Sequence, residues 1–343
     1  MKKLLYIASA FALVACGSSK ETANNDATTD QAAKYAQTIT AKDLGKHLFI
    51  YASDEFEGRN TGEPGQKKAV KYLKDFYVSQ GIASPLGGND YFQEVPSEYL
   101  SNNRRGMTLK DSENVVAFIK GTEKPSEIVV ISAHLDHEGV KNGEIYNGAD
   151  DDGSGTVAIL EIAEAFKQAA DAGKGPKRSI LFLHVTGEEK GLLGSKYYTE
   201  NPIFPLANTV ADLNIDMIGR VDDRHKGNPN YVYLIGSDKL STELHNISEA
   251  MNKKYTNIDL DYKYNDDNDP NRFYYRSDHY NFAKHNIPII FYFNGTHADY
   301  HRPTDTPDKI NYEMLENRAR LVFHTAWEVA NREHRVVVDK AAE

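Results

Sequence analysis

The sequence holds a single cysteine, Cys16, among 343 residues. No disulfide can close within the chain, and no thiolate cluster can build a structural zinc site. Positive charge is not in excess either. The chain carries 40 Lys and Arg against 50 Asp and Glu, a net charge of −10. Basic residues come in short pairs such as Lys67-Lys68 and Arg104-Arg105. No nucleic-acid partner is expected, because phosphate binding needs a dense basic patch. No internal repeat and no evident linker divides the main body of the chain. What is there is an ordinary globular balance, 40% apolar and 26% charged, in a chain long enough to bury a large core.

The N-terminus reads as a targeting segment. Lys2 and Lys3 precede an apolar run from Leu4 to Ala15, which ends at Cys16. The run is shorter than the roughly 20 residues a spanning helix needs. A basic start, a short apolar core and small residues at the cut describe a signal peptide over residues 1–15. Leu13-Val14-Ala15-Cys16 looks like a bacterial lipobox, which makes Cys16 the lipidated first residue. Residues 16–40, rich in Ser, Thr, Asn and Asp at their start, read as a flexible tether. The expected location is extracytoplasmic, with the chain anchored to a bacterial membrane surface through the lipid on Cys16. The catalytic domain is expected over residues 41–343.

Within that domain, apolar runs alternate with helical patterns. Asn114–Gly121, Ile128–Ala133, Ser179–Val185, Val210–Met217, Tyr231–Ile235 and Ile287–Phe293 read as strands. Most are too uniformly apolar for a half-exposed strand, so they are expected to be covered on both faces. Helical spacing runs over Asp43–Ala52, from Pro64 to Gly81, Gly153–Ala170, Leu240–Tyr255 and Lys309–Asn331. The fold class that follows is α/β, one domain, with a mixed, largely parallel sheet flanked by helices on both faces. Such sheets bind ligands at the carboxyl ends of their strands.

Those ends carry the chemistry. His134-Leu135-Asp136-His137 follows the second strand, and Thr186-Gly187-Glu188-Glu189 follows the third. Asp216 ends the fourth, and His297 and His301 follow the last. Gly148-Ala149-Asp150-Asp151-Asp152-Gly153 opens a helix between them. Histidine with carboxylate and no thiolate suits zinc or a similar first-row divalent ion, whereas oxygen alone would suit calcium or magnesium. Two divalent ions bring four positive charges against three liganding carboxylates, and a shared hydroxide would complete the balance. Asp150 to Glu161 also has the length of a calcium loop, but its apolar half continues into a long helix and leaves no room for one.

These motifs, H-x-D, G-A-D-D-D-x-S-G, G-E-E-x-G-L, N-x-D-M and Y-H-x-x-x-D-T-P-D, together resemble the M28 zinc peptidases, an aminopeptidase family with co-catalytic zinc. The resemblance runs from about Glu57 to Ile310. It implies two Zn²⁺ per chain. His134 and Asp216 would hold one, Glu189 and His301 the other, and Asp151 would bridge them. It implies Glu188 as the general base, Asp136 as the group that orients His134 from behind, and a cis peptide between Asp151 and Asp152. The implied substrate is a peptide cleaved at its N-terminal bond. A zinc pair about 3.5–4 Å apart would polarise the scissile carbonyl and acidify water, so a base within about 3 Å needs only a modest pKa.

Rivals on the same residues are a carboxypeptidase, a one-zinc glutaminyl cyclase, or a non-enzymatic surface binding protein that keeps the fold. His137 is left open as a residue lining the site, His297 is the rival of His301, and His184 reads as a core histidine. Ser277-Asp278-His279 reads as support for the site. Tyr274, Tyr275 and Tyr292 are the aromatic candidates for side-chain specificity.

Overall fold

The computed structural model describes residues 31–101, 106 and 108–340. The expectations for the signal segment and Cys16 lie outside the described residues. Among the described residues no helix is long and apolar enough to cross a membrane.

The sheet is built from β1 (Phe92–Val95), β2 (Ser112–Ile119), β3 (Lys124–His134), β6 (Arg178–Val185), β7 (Thr209–Ile215), β8 (Tyr231–Ile235), β9 (Asp259–Asp261) and β10 (Ile289–Phe293). A separate small hairpin pairs β4 (Gly139–Lys141) with β5 (Glu144–Tyr146). The strand order is β1-β2-β6-β3-β7-β10-β8-β9. The central run β6-β3-β7-β10 is parallel. The outer pairings β1-β2, β2-β6 and β10-β8 are antiparallel. The mixed, largely parallel α/β sheet expected from the sequence is therefore what forms.

Alternation across the pleat assigns each strand residue to one of two cores. On one face Val129, Ile131 and Ala133 of β3 join α3 (Gly155–Asp171) and α6 (Tyr312–Asn331), with α1 (Ala41–Tyr51) and α2 (Pro64–Ser79) packed outside. On the other face Ile128 and Val130 join Tyr198 of α4 (Leu193–Glu200) and Phe282 of α5 (His279–Ala283). Both faces are covered, which is why these strands tolerate unbroken apolar runs.

One boundary is corrected. Residues 31–36 form a helix, inside the segment expected to be a tether. Ala32, Tyr35, Ala36 and Ile39 are buried in the core. Their spacing is helical, but the polar residues between them lower the local apolar average and hide the stripe. Tyr35 stacks on Trp327 of α6 with centroids 6.1 Å apart. Arg320 donates to the carbonyls of Ala36 at 3.0 Å and Ile39 at 2.8 Å. The folded body thus begins at least ten residues before the expected boundary at Ala41.

His184 is a core histidine, as its place inside β6 suggested. Its Nε2 meets the Tyr77 hydroxyl at 2.6 Å. Burial pulls its pKa down to about 3. The unfolded chain therefore takes up a proton below about pH 6.5 that the folded chain refuses. The stabilising contribution is complete above pH 6.5 and falls as pH drops toward 3. The expected loss is about 1.4 kcal/mol per pH unit in this window. The His184→Gln variant keeps a partner for Tyr77 without the titration. Its stability, from denaturant unfolding at pH 6.5 and pH 4.5, is expected to fall less steeply than that of the parent chain.

Candidate metal centre

The backbone builds the site from the carboxyl edge of the parallel strands. His134 is the last residue of β3. Its Nδ1 faces the Asp136 carbonyl at 3.0 Å. A carbonyl only accepts, so Nδ1 carries the proton and Nε2 turns its lone pair into the site. That Nε2 lies 3.1 Å from Asp151 Oδ1 and 3.7 Å from Asp216 Oδ1. On the other side of Asp151, Oδ2 lies 3.0 Å from His301 Nε2. His301 Nε2 is also 3.2 Å from Glu189 Oε2. The two oxygens of Asp151 thus face two separate donor groups. The residues expected from the sequence, His134, Asp151, Glu189, Asp216 and His301, meet at one place.

The loop that presents Asp151 is held on all sides. The Asp151-Asp152 peptide is cis, as the family resemblance implied. The backbone N–H groups of Asp150 and Asp151 both donate to Asp305 Oδ2, at 3.0 and 3.2 Å. Asp152 turns away from Asp151 and accepts from the N–H groups of His134, Gly155 and Met217, at 3.2, 2.9 and 3.1 Å. Beneath the loop, Arg59 is buried and donates to the carbonyls of Asn147 at 2.7 Å and Gly148 at 2.8 Å. Gly148 sits at φ +54°, and a Cβ there would stand 2.4 Å from the His137 ring.

Several groups fill roles the sequence left open or did not suggest. His137 Nδ1 lies 2.8 Å from Glu189 Oε1, so this histidine stands at the ligand cluster. Glu138 brings a carboxylate to 3.8 Å from His301 Nδ1. His297 does not join the cluster. It pairs through Nε2 with Asp150 Oδ2 at 3.1 Å. Burial alone would lower its pKa, but the bond to Asp150 prevails and raises it. Ser277 donates to Asp216 Oδ2 at 2.7 Å. Asp136 departs from expectation in detail. Its carboxylate is 3.9 Å from His134 Nδ1, and it accepts instead from Thr61 Oγ1 at 2.8 Å and from the Glu188 N–H at 3.1 Å. It steadies the backbone of Glu188 more directly than the imidazole. The sequence signal for these supports is weak, because each acts across a long stretch of chain.

The donor set fits a cation. His134 Nε2, both ring nitrogens of His137, Asp151 Oδ2 and Glu189 Oε1 are buried without a hydrogen bond among the described residues. Leaving one such atom unmatched costs about 1–3 kcal/mol, and here they crowd together. Three trios each place their ligand atoms within 4.8 Å of one another: His134, Asp152 and Asp216; His137, Asp151 and Glu189; and Glu138, Glu189 and His301, the last two sharing Glu189. The field has the same sign. Burial would lower the pKa of His301, yet Asp151 and Glu189 raise it to about 10. Burial and Asp151 would raise Glu189, yet His137 and His301 hold it at about 2. Positive charge is welcome at this place.

Glu188 differs from its neighbour. No described residue donates a hydrogen bond to its carboxylate. It lines an open pocket beside Asp151, Asp216 and His301. Desolvation by the pocket walls, opposed by His134 and reinforced by Glu189, holds its carboxyl well above the usual range. The far wall is Phe273, Phe291, Phe293 and Tyr300. Two of the aromatic candidates lie elsewhere. Tyr292 points to the opposite face of β10, buried against Ser248 at 3.2 Å, because neighbouring strand residues face opposite ways. Tyr274 lines a different surface pocket with Lys239 and Asp267.

A buried two-lobed donor set at the carboxyl edge of a parallel sheet defines a metallohydrolase-type centre. Residues 114–326 match Peptidase family M28, and the chain belongs to that family. Leupeptin-inactivating enzyme 1 of Streptomyces exfoliatus is 28% identical over 303 residues, which is 82% of this chain and 59% of that protein. This chain therefore spans under two thirds of that relative. Among solved structures, the Legionella pneumophila LapA aminopeptidase superposes with a TM-score of 0.67 at 21% identity, covering 89% of this chain and 76% of that one. BSAP, a zinc aminopeptidase from Bacillus subtilis, superposes with a TM-score of 0.63 at 16% identity, covering 89% and 98%. At these identities the superpositions establish the fold.

Proposed function

We propose that this chain is a zinc-dependent exopeptidase that releases N-terminal amino acids from peptides, anchored outside the cytoplasm through Cys16. The observation that carries this reading is the partnerless Glu188 carboxylate, set on the pocket wall beside a cluster of unmatched ligand atoms. In this reading His134 and Asp216 would hold one zinc, Glu189 and His301 would hold the second, and Asp151 would be shared between them. His137 and Glu138 stand close behind the second group. Bound zinc supplies Lewis acidity toward a peptide carbonyl and toward water. The chain's own contribution is proton traffic and position. Glu188, raised in pKa by its surroundings, takes a proton from the attacking water and returns it to the leaving amine. Asp136 holds the Glu188 backbone in place. The acidic rim of Glu188 and Asp216 suits the free α-ammonium of a substrate.

The test is hydrolysis of an aminoacyl-arylamide panel by the detergent-solubilised membrane fraction, with chelator and then with added zinc. Hydrolysis that is lost with chelator, recovers with zinc and requires a free α-amine is expected. Cleavage restricted to acylated substrates would mean a carboxypeptidase. Cyclisation of glutaminyl substrates without hydrolysis would mean a cyclase. Activity confined to the soluble fraction would remove the anchor from the proposal.

A further inference from the structure

Arg276 lies on the wall of the catalytic pocket, together with Glu188, Asp216, Phe273 and Tyr300. It is exposed, in a chain of net charge −10. Arg272 and Arg302 share its lack of an ion pair among the described residues, while two other arginines are matched. Arg220 pairs with Asp299 at 2.8 Å and faces Asp305 at 3.7 Å, and Arg224 pairs with Asp261 at 3.2 Å. Arg276 makes no ion pair with any described residue. Its guanidinium lies 4.9 Å from the centre of the Phe273 ring, and one amino group donates to the Tyr300 hydroxyl at 3.4 Å. Neither contact neutralises the charge.

The nearby carboxylates are not its partners. Asp151, Glu189 and Asp216 face the metal-binding histidines at the distances given above, and Glu188, the uncommitted carboxylate of the same pocket, makes no ion pair with Arg276. Tyr300 accepts from Arg276 and so keeps its own proton to give. Two donors, a planar guanidinium and a hydroxyl, therefore meet over an apolar floor made by Phe273, Phe291 and Phe293. Arg276 is exposed, so the pair holds an anion through charge-assisted hydrogen bonds and not through burial. The planar fork of a guanidinium fits the two oxygens of a carboxylate.

We propose that Arg276, with Tyr300, makes this pocket a receptor for a substrate carboxylate. The enzyme then prefers peptides that present an acidic group there over isosteric neutral ones. This rests on the peptidase reading above. A carboxylate can come from an acidic side chain or from the C-terminus of a very short peptide, and the two sources separate experimentally.

The experiment uses the zinc-loaded full chain in two parallel measurements. The first is kcat/KM on glutamyl, glutaminyl, leucyl and lysyl arylamides, and on Leu-Leu against Leu-Leu-amide. The second is calorimetric binding of free glutamate against glutamine. A side-chain receptor gives at least a tenfold preference for glutamyl over glutaminyl, in both kcat/KM and Kd. A C-terminal receptor gives a similar preference for Leu-Leu over its amide and none between glutamyl and glutaminyl. In Arg276→Gln the relevant ratio collapses to within about threefold of unity. Arg276→Lys keeps part of it, and Arg276→Glu turns the panel toward lysyl substrates. A purely structural arginine would lower all rates together and leave the ratios alone. Equal treatment of acid and amide in both pairs by the parent chain would overturn the proposal. Discrimination in binding that vanishes in Arg276→Gln, without turnover of any substrate, would keep the receptor and overturn the peptidase reading.

Discussion

The Glu188→Gln variant is expected to lose about two to four powers of ten in kcat, the range a positioned general base contributes, while keeping its full complement of zinc. Glutamine fills the same volume and can still hydrogen bond, but it cannot take up a proton. Glu188 points into the pocket with no described donor to its carboxylate, so no structural contact is broken by the change. The melting temperature should hold within a degree or two, or rise slightly, because a partly desolvated acid is replaced by a neutral amide. Metal analysis, thermal unfolding and turnover on one arylamide test this together. A variant within tenfold of the parent rate would remove Glu188 from the role of base. Glu189→Gln supplies the contrast, since it should lower metal content as well as rate.

Asp151→Asn should give the larger loss in metal. Its two oxygens face two histidines, at 3.1 Å on one side and 3.0 Å on the other. An amide keeps one acceptor and places an N–H donor against the second imidazole. Bound zinc after dialysis is expected to fall to half the parent's content or less, with activity reduced more than about a thousandfold. Asp152→Asn, one residue along, should behave differently. Asp152 accepts three backbone N–H groups, and its amide would set a donor against donors. The expected result is a loss of about 1–3 kcal/mol in unfolding free energy. Equal metal loss in both variants, with no loss of stability in Asp152→Asn, would mean that the two neighbouring aspartates have been assigned the wrong way round.

Much of this arrangement was legible in the residues themselves. Strands β3, β6, β7 and β10 announce themselves as apolar runs, and each ends in or leads to a metal-type side chain. Rules of parallel topology then bring those ends to one edge. What stayed hidden is of two kinds. Short edge elements such as β1 and β9 have too few residues to show a period, and the helix over residues 31–36 carries its apolar stripe inside a polar composition. Groups that act at long range also left no trace. Asp305 holds the N–H groups of Asp150 and Asp151, and Arg59 fixes the carbonyls of Asn147 and Gly148, yet nothing local in either segment requires it. Pleat parity decided the aromatic wall. Tyr292 was a reasonable candidate by position, but the pocket takes Phe291 and Phe293 on either side of it. Arg276 shows the same limit, since a charge on a connecting segment reads as surface until its neighbours are known.

The clamp by Asp305 has a bearing on the order in which the molecule is made. Its carboxylate stands 155 residues from Asp150 and 154 from Asp151 in the chain, and His301 joins from the same late segment. A chain delivered across a membrane, N-terminus first, presents His134, Asp151, Glu189 and Asp216 before either arrives. The early ligands can meet a metal ion during that interval, but the loop that aims Asp151 is not yet braced. Loading of the finished centre is therefore one of the last events in maturation. A chain stopped short of Asp305 would be expected to bind zinc loosely even with most of its ligands in place.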